Sequence, residues 1–200
     1  MNKTKISGLM IVFSLVGGRC TVAQECRSLP STTSDALVSY LTDIVPSDDN
    51  ADCITFAIKE LDQRRYEPAI PALVRLLDFR RPPNSHEKNH IILRPRSTAE
   101  MYPAVAALEE MGKRSLPPLL EVIKSATPAI KARENAVTVW MEIYKNEAPE
   151  GVASLKHQMN GTDDENVKGN LNWALAKAQT LCSSRDRIRC RAAAGGPTAP

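Results

Sequence analysis

His86, Glu87 and His90, in the string His86-Glu87-Lys88-Asn89-His90, are side chains that could do chemistry. Histidines four residues apart share one face of a helix. That spacing lets two imidazoles hold a zinc ion while the glutamate between them acts as base. A catalytic zinc also needs a third protein ligand and an open position for water. Glu109 is the downstream carboxylate available for that role. The surroundings oppose this chemistry. Arg80-Arg81-Pro82-Pro83 precedes the motif, Lys88 puts a positive charge inside it, and Arg94-Pro95 leaves about nine residues of helix. The segment reads as a solvated loop in which His86 and His90 are metal-ligand candidates at most. No catalytic residue and no cofactor are expected.

Cysteine is the other reactive type, and its reading depends on the amino terminus. Lys3 and Lys5 precede an apolar run from Ile6 to Val16, and Thr21-Val22-Ala23 offers cleavage before Gln24, so residues 1–23 read as a secretory signal. The run is too short to span a bilayer, which takes about 20 residues, and no transmembrane segment is expected. Arg19 before Cys20 speaks against a lipid anchor at that cysteine. Removal of Cys20 leaves Cys26, Cys53, Cys182 and Cys190, an even set suited to two disulfides in an oxidising compartment. The predicted location is secreted or periplasmic.

The net charge of +3 leaves with the signal, because Lys3, Lys5 and Arg19 carry all of it. Positive charge in the rest concentrates in residues 79–97 and 183–200, so the remaining helical body is acidic. Nucleic-acid binding wants cations on one rigid face and is not expected. Aromatic residues make up only 4% of the chain, and its abundant Ala and Leu favour helices packed through aliphatic side chains.

Those helices recur. Ile70-Pro71-Ala72-Leu73-Val74-Arg75-Leu76-Leu77 matches Leu116-Pro117-Pro118-Leu119-Leu120-Glu121-Val122-Ile123 position by position, and Val152, Leu155 and Met159 fall in the same register. A second series aligns Leu61, Leu108, Trp140 and Leu175, with Asn135 and Asn170 at one repeated position. An asparagine recurring in an interior register suits a hydrogen bond to a neighbouring inter-helix turn. Trp140, Tyr144 and Trp173 fall near the apolar face and read as core. Predicted boundaries are Ser34 as a cap with Pro46 as a stop, Thr127 before Pro128, Thr162 before an acidic first turn, and Gly112 at a helix end.

The strings Asp163-Asp164-Glu165-Asn166-Val167-Lys168 and Glu110-Met111-Gly112-Lys113-Arg114-Ser115-Leu116-Pro117 resemble HEAT-type repeats of the bacterial PBS-lyase-like kind. Val167-Lys168, Ala174-Leu175, Met111-Gly112 and Leu116-Pro117 carry the pattern, over roughly residues 50–181. The resemblance implies an architecture and no activity.

The reading is therefore an all-α fold: a HEAT-like α-solenoid of about three to four helical hairpins with an N-terminal capping helix. The predicted divisions are a signal at 1–23, an N-terminal segment at 24–49, repeats at 50–182 with an insertion loop at 79–97, and a flexible basic tail at 183–200. Cys53 opens the array and Cys182 closes it, about three steps of roughly 10 Å apart. Four cysteines allow three connectivities. A disulfide spans less than about 7 Å between Cα atoms, which disfavours Cys53–Cys182, whereas Cys26–Cys53 would tie the N-terminal segment to the first repeat and Cys182–Cys190 would fold the tail back on the last helix. The expected function is a monomeric, non-catalytic scaffold that holds a protein partner in a concave groove lined by second-helix residues Arg75, Glu121, Lys124 and Lys156, with the basic 79–97 loop at its rim. A zinc hydrolase and a structural module of an envelope assembly are the alternatives.

Overall fold

A computed structural model describes residues 33–83, 96–183 and 186–195, and no strand occurs among them. Leu37 and Leu41, one turn apart and fully buried, anchor α1 (Ser34–Asp43). Its cap is Thr33 rather than Ser34. Thr33 stands in extended backbone, where its hydroxyl can accept from the Ala36 N–H.

In α2 (Ala51–Gln63), Ile54, Ala57, Ile58 and Leu61 are buried at helical spacing. The helix ends in a paired reverse turn. The Arg65 N–H donates to the Asp62 carbonyl at 2.8 Å and the Tyr66 N–H to the Leu61 carbonyl at 3.0 Å. This motif places its penultimate residue in the left-handed region, normally the province of glycine. Here Arg65 takes that position at φ 47°.

A short 3-10 turn (Glu67–Ala69) leads into α3 (Ile70–Arg75), with Leu76 and Leu77 still buried in the turn beyond it. Ser97 and Glu100 form a reciprocal capping box on the one-turn α4 (Thr98–Met101). Pro103 opens α5 (Pro103–Met111), which stops at Gly112, φ +64°. The buried Ser115 hydroxyl reaches back to donate to the Leu108 carbonyl at 3.0 Å. After it come α6 (Leu116–Lys124), α7 (Ile130–Ile143), α8 (Ala148–Asn160), α9 (Glu165–Leu181) and α10 (Arg187–Ala193).

Two further predicted boundaries move. Thr127 lies in the bend before α7, which starts at Ile130. The cap of α9 is Asp164, whose carboxylate accepts from the Asn166 and Val167 N–H groups, while Thr162 accepts from Asp164 itself. A carboxylate at that position also meets the positive end of the helix dipole. The flexible tail expected at 183–200 is corrected as well. Residues 187–193 are helical, and Cys190, fully buried, sits 6.7 Å from Cys182 between Cα atoms, at disulfide distance.

Packing follows chain order. α2 packs on α5, α5 on α7 and α7 on α9, while α3 packs on α5 and α6, and α6 on α7 and α9. α1 lies on α2 and α3 at the start, and α10 lies on α8 and α9 at the finish. Positions matched in the sequence share their burial: Leu73, Leu119 and Leu155 are fully enclosed, and so are Leu77 and Ile123. Leu61, Leu108, Trp140 and Leu175 are equally interior, none more than 4% exposed. Trp140 also donates through Nε1 to the Gly151 carbonyl at 3.0 Å. A Cβ at Gly151 would come within 2.9 Å of the Tyr144 Cβ, so glycine is what lets α8 approach this turn.

Arg65→Gly should raise stability by roughly 0.5–1 kcal/mol, since glycine meets no steric penalty at positive φ. Urea unfolding of the two chains measures this directly. An unchanged or lower midpoint would show that the Arg65 side chain contributes more than its backbone conformation costs.

Candidate functional site

The second-helix surface expected to bind a partner divides into three parts. Arg75 is committed within the molecule. Its guanidinium donates to the carbonyls of Leu41 and Ile44, the latter at 2.9 Å, at the C-terminal end of α1. Those carbonyls have no helical donor, and a cation is the favoured group at that pole of a helix. Arg75, one of the expected binding residues, thus clasps α1 while its side chain stays exposed. Tyr66 donating to Asp35, and Arg64 donating to Ser34 at 3.3 Å, hold the other end.

Lys156 is half-buried, with its Cε and Nζ 3.8 Å from where a side chain at Gly195 would begin, beneath the turn that follows α10. The turn after α10 covers part of it and leaves the rest at the surface. Glu121 and Lys124 stay together on α6, paired at 3.4 Å with Glu121 largely exposed. The neighbouring Leu116, Leu120 and Val122 are only partly buried.

A cavity of about 220 Å³ lies between α2 and the α4–α5 corner. Ile58, Pro103, Ala106 and Ala107 make it apolar, and Lys59, Asp62, Arg81 and Glu100 carry the charge around it. Its volume falls below the 300–1,000 Å³ usual for small-molecule sites and suits a single side chain. The sequence pattern did not single it out, because the residues come from helices some forty positions apart in the chain.

His86, Glu87 and His90 lie outside the described residues, as does Cys26. Cys53, almost wholly buried, is disulfide-bonded. Among the described residues no group of three or more His, Cys, Asp or Glu side chains could hold a metal ion, and no helix is long and apolar enough to cross a membrane.

Glu109, the carboxylate considered for a zinc site, instead faces α7. Burial, then the neighbouring Glu142, push its carboxyl up to about 7, with Glu110 adding to this and Lys145 opposing it. Asp62 on α2 is raised in the same way, by burial and by Glu110, against the pull of Arg65. These carboxylates crowd one side of α5. The arrangement can hold a proton near neutral pH, with the carboxylates of Glu110 and Glu142 and the ammonium of Lys145 as its titratable neighbours.

Compared with known protein families, curated proteins and solved structures, the chain matches none.

Glu109 generates a prediction with a definite sign. The folded state keeps its proton above the ordinary value of 4.5, so this contribution to stability is full below pH 4.5 and is lost as pH rises through about 7. Glu109→Gln should flatten that fall and stabilise the chain near pH 8 by about 1 kcal/mol, solvent screening at this partly exposed position reducing the full linkage value. Urea midpoints at both ends of the range would show it. Parallel pH profiles for the two chains would assign the titration elsewhere.

Proposed function

We propose that the chain is an exported, non-catalytic scaffold of HEAT-like helical hairpins that holds another protein against the outer surface of α6. One observation carries the repeat reading. Asn135 on α7 donates to the Leu77 carbonyl just beyond α3 at 2.6 Å, and Asn170 on α9 donates to the Lys124 carbonyl at the end of α6 at 2.7 Å. The two asparagines, matched in sequence register, thus reach the same end of a second helix, their acceptors one residue apart in the aligned register. A first helix reaches the end of a second helix two hairpins earlier, and then the same bond recurs one hairpin on. Recurring contacts of this kind are what a stack of similar units produces.

The same geometry narrows the binding surface. α1 covers α3, α10 covers α8, and Arg75 and Lys156 are engaged beneath or beside them. Between these covers α6 presents Glu121, Lys124 and the exposed edge of Pro117 over partly buried Leu120. Such a surface offers a small apolar strip with one charge of each sign, suited to an amphipathic segment of a protein. Export is supported by the amino-terminal Lys3, Lys5 and Ile6–Val16 pattern and by the Cys182–Cys190 pair, since disulfides persist outside reducing compartments.

A photo-crosslinking residue at Glu121 should capture one defined protein in the exporting cell, and Lys124→Glu should reduce that adduct about tenfold. The same residue at Lys131, on α7, should capture none. Equal labelling from both positions, or none from either, would remove α6 as the binding surface. Zinc bound stoichiometrically to purified protein, and lost in His86→Ala, would instead revive the hydrolase reading.

A further inference from the structure

We propose that the chain assembles head to tail, the outward face of α10 in one copy docking on the α1–α2 loop of the next. α10 buries Cys190 and rests Ala193 and Ala194 on the core, which turns Ile188 outward at 66% exposure. Helical rotation puts Arg187 and Arg191 on one flank of Ile188 and Arg189 on the other. All three are exposed, and Arg189 reaches Asp186 at 3.8 Å.

The opposite end carries the complement. Val45 is 78% exposed beside Pro46, amid the exposed carboxylates of Asp43, Asp48, Asp49 and Asp52. Arg75 and Arg80 lie next to this loop together with Asp78. Arg75 keeps its charge while donating to the carbonyls of α1, and among the described residues Asp43, Asp48, Asp49, Asp52 and Asp78 outnumber Arg75 and Arg80 around Val45. Among the described residues each end is therefore an exposed apolar side chain in an excess of one sign of charge, acidic around Val45 and basic around Ile188.

Charge complementarity selects the occupant. Like ends repel, which disfavours a two-fold contact, whereas unlike ends attract and form a heterologous contact that leaves a free end on each copy. An anionic bilayer would satisfy α10 but would repel the acidic end. A second copy accounts for both.

Sedimentation velocity on the full chain at about 50 mM and about 500 mM salt tests this, since screening over that range separates charge-driven contacts from others. The expected result is concentration-dependent association at low salt that collapses to monomer at high salt. Arg187→Glu, Arg189→Glu and Arg191→Glu combined should weaken association at least about tenfold, and Asp43→Lys, Asp48→Lys and Asp49→Lys combined should do the same. Mixing the two variants in equal amounts should restore it, because each then presents the end that the other lacks. That rescue requires both variants to be folded, and unchanged far-ultraviolet circular dichroism of each alone verifies this. A wild-type chain that stays monomeric at low salt overturns the proposal. So does a mixture of folded variants that stays monomeric, or retention on anionic vesicles in place of self-association.

Discussion

Short helices packed side by side bury their ends, and each C-terminal end carries up to four carbonyl groups without a helical donor. In this chain those carbonyls are supplied by side chains from other elements. Arg75 serves α1, Ser115 serves α5, Asn135 serves the turn after α3, and Asn170 serves the end of α6. A buried carbonyl left without a donor costs about 1–3 kcal/mol, a large share of the stability of any single domain. The packing of these helices is thus tied to a few polar side chains as firmly as to the leucines between them. An apolar interface alone tolerates sliding by a turn. A donor that must meet one particular carbonyl does not.

Asn170 shows how tightly the constraint is drawn. Its amide nitrogen donates to Lys124 at 2.7 Å while its oxygen accepts from the Arg133 guanidinium at 2.9 Å, so one side chain on α9 fixes both α6 and α7. Arg133 is buried, with its guanidinium 4.6 Å from the Trp173 ring and its Nε without a partner among the described residues. An enclosed cation with no carboxylate against it would be strongly unfavourable. The ring face and the amide oxygen together offset that cost. The half-buried Trp173 is consequently more than a space-filling residue of the core, since its ring is what makes Arg133 tolerable at this interface.

Much of this was legible in the residues. Apolar spacing located the helices, the two aligned series marked which leucines are enclosed, and the recurrence of Asn135 and Asn170 implied the bonds they make. Loop length made Cys182–Cys190 a natural pair. What was not legible depends on contacts between elements. Arg75 aligns with Glu121 in sequence and looks like a groove residue, yet the carbonyls it serves belong to α1, more than thirty residues earlier. The helix at 187–193 is too short and too arginine-rich to announce itself, because a helix of that length is unstable in isolation. Burial of Cys190 beside Cys182 is what stabilises it. Capping failed by small margins for a related reason: Thr162 and Asp164 both have suitable oxygens, and only the backbone conformation decides which reaches the N–H groups. The same holds at Arg65, where nothing in the side chain signals a left-handed backbone.

A row of helices packed in chain order has two ends, and each exposes an apolar side that would otherwise meet a neighbour. Here α1 closes one end with Leu37 and Leu41, and α10 closes the other with Cys190. Closing an end does not require the cover to be neutral or wholly polar, and these covers are neither. The α1–α2 loop leaves Val45 in the open among aspartates, and α10 leaves Ile188 in the open among arginines. A cover serving solubility alone would carry polar residues at both positions, and either charge sign would do at either end. Two exposed β-branched residues, one in an excess of aspartates and one in an excess of arginines, give the two ends a difference that neither the core nor the capping bonds require. The covers therefore close the core without making the ends of the molecule equivalent, and any contact made through one end is chemically distinct from a contact made through the other.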